Sequence, residues 1–153
     1  MQRNGIKLIG RLKATLKDKD GNIKQQFEKQ NLIVNGGLDG FMEQVLNSPS
    51  IAVPSHMGIG TDGTQPQLSD NDLGSQQGGR QSISKQRNLN EVEFSAVFGP
   101  NEPVNSEIEI REAGLFNAAT GGTLWARITF GVVTKAPDDT FDLSWTWVLN
   151  NAN

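Results

Sequence analysis

The sequence predicts a mainly β protein: an antiparallel β-sandwich, with a jelly roll as its specific form and one short helix. Three observations carry this. Apolar residues recur at every second position along much of the chain, the period of strands with one face on a core. Only residues 38–47 show a helical spacing. The 17 glycines and 6 prolines suit a chain with many turns. Strands are expected at 5–17, 22–34, 51–60, 88–98, 106–111, 114–117, 123–134 and 140–149. The near-absence of helices excludes βαβ units and leaves a small closed barrel as the alternative. At 153 residues the chain is read as one domain, 1–153, with a long polar loop at 61–84.

The last two strands are the most legible. Leu124, Ala126, Ile128 and Phe130 alternate with Trp125, Arg127 and Thr129. Phe141, Leu143, Trp145, Trp147 and Leu149 alternate with Ser144 and Thr146. A polar turn separates the two stretches, which predicts a hairpin. Phe94, Ile128, Phe130, Trp145 and Trp147 are the expected core, and Trp125 falls on the outward phase.

At the amino-terminal end, Leu8, Leu12, Ala14 and Leu16 point one way while Lys7, Arg11, Lys13 and Thr15 point the other. Gly10 marks a bulge or a close approach. Asp20-Gly21 predicts a hairpin turn into Ile23, Gln25 and Phe27. The Asp18-x-Asp20-Gly21 spacing lacks the glycine at the sixth position and the glutamate at the twelfth of a calcium loop, so a plain turn is favoured.

Leu38, Phe41, Met42, Val45 and Leu46 define the helix, whose apolar stripe is expected in the core. Asp39 and Glu43 suit its first turns, and Asn47-Ser48-Pro49 ends it. Met57 and Ile59 are expected inward on the next strand. Residues 61–84 hold only Leu68, Leu73 and Ile83 as sizeable apolar groups, which predicts a flexible segment ordered by neighbouring subunits. Glu91 and Glu93 lie opposite Val92 and Phe94, and Glu107 and Glu109 alternate with Ile108 and Ile110. Two strands therefore show acidic outer faces where the first shows a basic one.

The net charge of −3 conceals a division. Residues 1–29 carry eight basic against three acidic groups, a surplus of +5; the remainder carries six against fourteen, −8. Opposite charges of this kind suit pairing within the chain, between copies, or with other subunits. Nucleic acid is not an expected partner, because no exposed aromatics interleave with the basic strand. A membrane is not one either: no apolar run approaches ~18 residues, and no basic segment leads an apolar one.

Catalytic patterns are missing. There is no cysteine and one histidine, His56, and neither G-x-S-x-G nor a nucleotide fingerprint occurs. Gly78-Gly79-Arg80 lacks the context of a phosphate loop. Glu107 and Glu109 have the residue type of a glycosidase pair, but their alternation reads as a charged strand face. No enzyme, cofactor or metal is expected. A sugar-binding module would need exposed aromatics, for which Trp125 is the candidate. The candidate interface is Lys7, Arg11, Lys13, Glu91, Glu93, Glu107, Glu109 and Trp125.

Several segments resemble small virion proteins of tailed bacteriophages. They are "GRLKATLKDKDGNI", "KQNLIVNGGLDGFMEQVL", "HMGIGTDGTQPQLSDNDLGSQ", "EIREAGLFNAATGGTLWARITFG" and "DTFDLSWTWVL". Within them, Gly58–Gly63 is similar to a "GIGTG" run with an extra aspartate, and Ile110–Phe116 to an "I-x-E-A-G-L-F" strand. The resemblance implies a non-enzymatic role in the virion. Its foremost form is a capsid decoration or cement protein bound to the major capsid protein and to copies of itself; a trimer is expected because jelly-roll modules often assemble around threefold axes. The alternative is a tail, neck, baseplate or tail-fibre component.

Overall fold

The structure, a computed structural model, describes residues 5–47 and 49–151. Arg3 of the basic stretch and Ser48 of the helix-ending tripeptide lie outside these residues. The elements run β1 (Ile6–Lys17), β2 (Ile23–Gln30), β3 (Leu32–Ile33), α1 (Asn35–Val45), β4 (His56–Gly60) and β5 (Gln81–Ser82). They continue with β6 (Ser84–Asn88), β7 (Glu91–Phe98), β8 (Ile108–Phe116), β9 (Leu124–Lys135) and β10 (Thr140–Asn151). They form two five-stranded antiparallel sheets, ordered β2-β1-β10-β7-β6 and β3-β9-β8-β4-β5. One buried cluster joins Leu12, Phe94, Phe98, Phe141 and Trp145 of the first sheet to Met57, Ile59, Ile110, Leu115 and Ile128 of the second. The arrangement is sandwich-like.

The turn at Asp20-Gly21 forms as its residues dictate. Gly21 has φ +85°, and Asp18 accepts the amides of Asp20 and Asn22 at 2.9 Å each. Gly10 marks a close approach: a Cβ there would overlap the Asn31 side chain. At Asn31 the chain leaves the first sheet, so the strand expected over 22–34 is two strands in different sheets. The stretches expected at 106–111 and 114–117 are instead one strand, β8, with its register shifted between Ile110 and Glu112.

The expected hairpin of the last two long strands does not form. β9 pairs with β8 and β3, whereas β10 pairs with β1 and β7, and residues 136–139 carry the chain between the sheets. Alternation shows which face of each strand is apolar. It does not distinguish two strands side by side from two strands facing each other across a core.

Trp125 is also placed differently from expectation. Phe116 pairs with Leu124 and Leu115 with Ala126, leaving Trp125 as an extra residue in a bulge. The bulge breaks the alternation. Leu124 packs with Val34, Leu73 and Phe116 on the outer side, while Trp125, 3% exposed, enters the main core beside Trp147 at 6.0 Å. Arg127 and Thr129, expected at the surface, are buried under residues that follow β4. Phe130 is half-buried at the margin of the core, 4.9 Å from Phe27 between ring centres.

Helix α1 starts three residues earlier than its apolar pattern suggests, so Asp39 and Glu43 lie outside its first turn. Of its apolar stripe only Phe41 packs against the core; Leu38, Met42, Val45 and Leu46 are exposed. The buried positions are Gly37 and Gly40. A Cβ on Gly37 would collide with the Trp125 backbone carbonyl, and one on Gly40 with the Trp125 ring. Glycine is what lets the helix lie this close to β9, so the glycine face wins over the apolar one. Gly37→Ala is expected to destabilise the protein by about 1–3 kcal/mol, the usual range for overpacking. The roughly 1 kcal/mol that alanine gains over glycine in a helix would offset only part of this. Denaturant unfolding measures the balance, and a stabilised variant would refute the close contact.

Candidate protein interface

The outer face of the first sheet collects most of the candidate interface residues. Strand register aligns its side chains in rows. One row runs Gln30, Arg11, Thr146, Glu93, Gln86; the next runs Glu28, Lys13, Ser144, Ser95, Ser84. Ile9, Val148, Glu91 and Asn88 form the row on the other side of Arg11. Lys7 lies beyond, opposite Asn150. The face is thus basic along β1 and acidic along β7, with the hydroxyls of β10 between them. It encloses a shallow concavity of about 460 Å³ lined by Arg11, Lys13, Glu28, Glu91, Glu93 and neighbours. Arg11 and Lys13 form no ion pair among the described residues. Glu93 accepts a hydrogen bond from Ser95 Oγ at 3.1 Å.

Glu107 and Glu109 are not part of this face. They are exposed at the start of β8 in the other sheet, where Glu109 pairs with Arg111 at 2.9 Å. Trp125, in the core, is unavailable for stacking on a sugar.

The segment expected to be flexible is instead folded onto the second sheet around a buried carboxylate. Glu112, fully buried, accepts the amides of Ser75 at 2.7 Å and Gly74 at 3.0 Å. It also accepts Arg127 Nε at 3.0 Å. Arg127 reaches Asp70 at 3.1 Å and Asp62 at 3.8 Å. Hydrogen bonds from Thr64, with Arg127 adding a smaller effect, hold the Asp62 carboxyl below its usual range. Arg80 packs its guanidinium 3.4 Å from the centre of the Phe116 ring and donates to the carbonyls of Ala118 and Gly121. Burial lowers its pKa, with Asp72 opposing. Sequence reasoning missed Arg127, which shares the phase of Trp125 and Thr129 that reads as outward, and Glu112, which follows the register shift after Ile110.

The two sides of the sandwich differ. Along β2, Lys24 pairs with Asp139 at 2.7 Å and Lys29 donates to the Thr129 carbonyl at 2.6 Å, stitching the sheets together. Near β6 a mostly apolar groove of about 790 Å³ remains, lined by Phe41, Val53, Leu89, Val92, Trp125 and Trp147 among others. Lys85 and Arg87, paired with Phe94 and Val92, also line it. The edge strand therefore turns cations toward the interior side. The exposed apolar stripe of α1 adjoins the groove through Phe41 and Gln44.

No described helix is long and apolar enough to cross a membrane. Among the described residues no three His, Cys, Asp or Glu side chains are grouped to hold a metal ion. No family model matches the chain, and neither curated proteins nor solved structures give a match.

Proposed function

We propose that this chain is a non-catalytic virion protein of a tailed phage that decorates or cements the head by binding other proteins. The observation that carries the reading is the charge-divided outer face of the first sheet. Arg11 and Lys13 stand on one strand and Glu91 and Glu93 on another, across an uncharged stretch of β10. Surfaces of this kind orient protein partners and set their register. The apolar stripe of α1 offers a second contact area, since contiguous exposed apolar surface marks interaction sites. The segment resemblance supplies the phage assignment, with the major capsid protein and copies of the chain as partners. The jelly-roll form enters only through the pairing of β1 with β10 in the middle of one sheet.

Labelling the protein on intact particles tests the reading. Label at many symmetric positions over the head is the expected result. Label confined to the neck, baseplate or tail would replace it with the tail-component reading. Label nowhere on the particle would remove the virion assignment.

A further inference from the structure

We infer that the outer face of the first sheet binds a second copy of itself about a twofold axis running along β10, with Arg11 of each copy against Glu93 of the other. The inference rests on reading this face as an interface and names its partner.

The rows of the sheet dictate the pairing. A twofold axis lying in the contact plane and parallel to the strands exchanges the two sides of the sheet and keeps each row level with itself. Such a contact sets β1 of one copy over β7 of the other. An in-plane axis across the strands would set like charges over like. In the row Gln30, Arg11, Thr146, Glu93, Gln86, the exchange places Gln30 against Gln86 and Arg11 against Glu93, with Thr146 meeting its counterpart on the axis. Every position then meets a chemically complementary one. In the next row, Lys13 falls against Ser95 and Glu28 against Ser84, each charge facing a hydroxyl, while Ser144 meets Ser144. In the Ile9 row the exchange sets Val148 against Val148 and Ile9 against Glu91, a contact without complementarity, so the specificity rests on the Arg11 row. Asp142, which would meet its counterpart near one end, is already paired with Lys17 at 3.3 Å.

Within one copy this complementarity goes unused. Arg11 and Glu93 are separated by β10, about 10 Å across two strand spacings, and form no ion pair with each other. The face also has room. Five strands of this spacing and length present roughly 600 Å² per copy, or about 1,200 Å² in total. That is the lower edge of the range for specific, stable interfaces.

The experiment is sedimentation velocity of the full chain over a concentration series, with Arg11→Glu and Glu93→Arg separately, mixed, and combined in one chain. Each substitution turns both symmetric contacts into like-charge ones, so each variant alone should associate at least about tenfold more weakly than the parent. Mixing the two variants restores opposite charges at both contacts, and so does combining them. Both should recover dimer, and added salt should weaken the parent dimer. Unaltered thermal unfolding of the variants establishes that they are folded. A parent that stays monomeric throughout, a trimer, or variants that mix without recovering dimer would each overturn the inference. Particle labelling that still succeeds with a monomeric protein would leave the decoration reading standing without the self-pairing.

Discussion

Replacing Glu112 with alanine is expected to cost about 3–5 kcal/mol, the range for removing one member of a buried ion pair. The carboxylate is fully buried and serves two kinds of donor at once. It neutralises Arg127, whose side chain is only 4% exposed, and it receives the amides of Gly74 and Ser75. Its removal leaves a buried guanidinium with the partly exposed Asp62 and Asp70 as its remaining carboxylates, and it leaves two backbone donors unsatisfied. The damage should be uneven. Amide exchange should accelerate through 61–77, the segment held by these bonds, before it does so in β1 or β10. Urea unfolding measures the total and hydrogen exchange its distribution. A loss below about 1 kcal/mol, or exchange that rises uniformly, would show that Glu112 does not anchor the segment.

Trp145→Ala is expected to destabilise the protein by about 3–5 kcal/mol, through lost transfer energy and the cavity left behind. Trp145 is fully buried in the main core, and its strand neighbours in register are Leu12 and Phe94. Its indole Nε1 is buried with no hydrogen-bond partner among the described residues. Trp145→Phe should therefore be much milder than Trp145→Ala, because it keeps an aromatic ring and removes an unsatisfied donor. Equal losses for the two substitutions would show that the indole nitrogen has a partner or that the site cannot accept a smaller ring. Phe130→Ala should cost less than Trp145→Ala, since Phe130 lies at the core margin.

What the sequence disclosed was the direction in which each uninterrupted strand faces. Leu12, Ala14, Met57, Ile59, Phe94 and Phe141 are buried where their alternation placed them, and Arg11, Lys13, Glu91 and Glu93 stand outside. Beyond the pairing of the strands, three features were not legible, each for a physical reason. The Trp125 bulge inserts one residue into a period of two, so the phase read from Ala126, Ile128 and Phe130 fails upstream of it. The glycine face of α1 carries no hydrophobic signal, and only the nearness of Trp125 explains why it is buried. The cover over the second sheet is held largely by a polar network, with Leu73 as its buried apolar anchor, so composition alone suggested a loose loop. Of the candidate interface, Arg11, Lys13, Glu91 and Glu93 are brought to one face with Lys7 at its end, while Glu107, Glu109 and Trp125 are elsewhere.

The treatment of the first sheet's two borders bears on behaviour at high concentration. An open border normally invites a strand from another molecule, and repeated addition of that kind leads to fibres. Here Lys85 and Arg87 point to the core side of β6, so an incoming apolar strand would have to be set beside two cations. At the other border, Lys24 and Lys29 of β2 are already committed to Asp139 and to the Thr129 carbonyl. Lateral growth is disfavoured at both ends. A crowded solution of this protein should therefore grow no ribbons through this sheet, and the contacts made there should be finite in number.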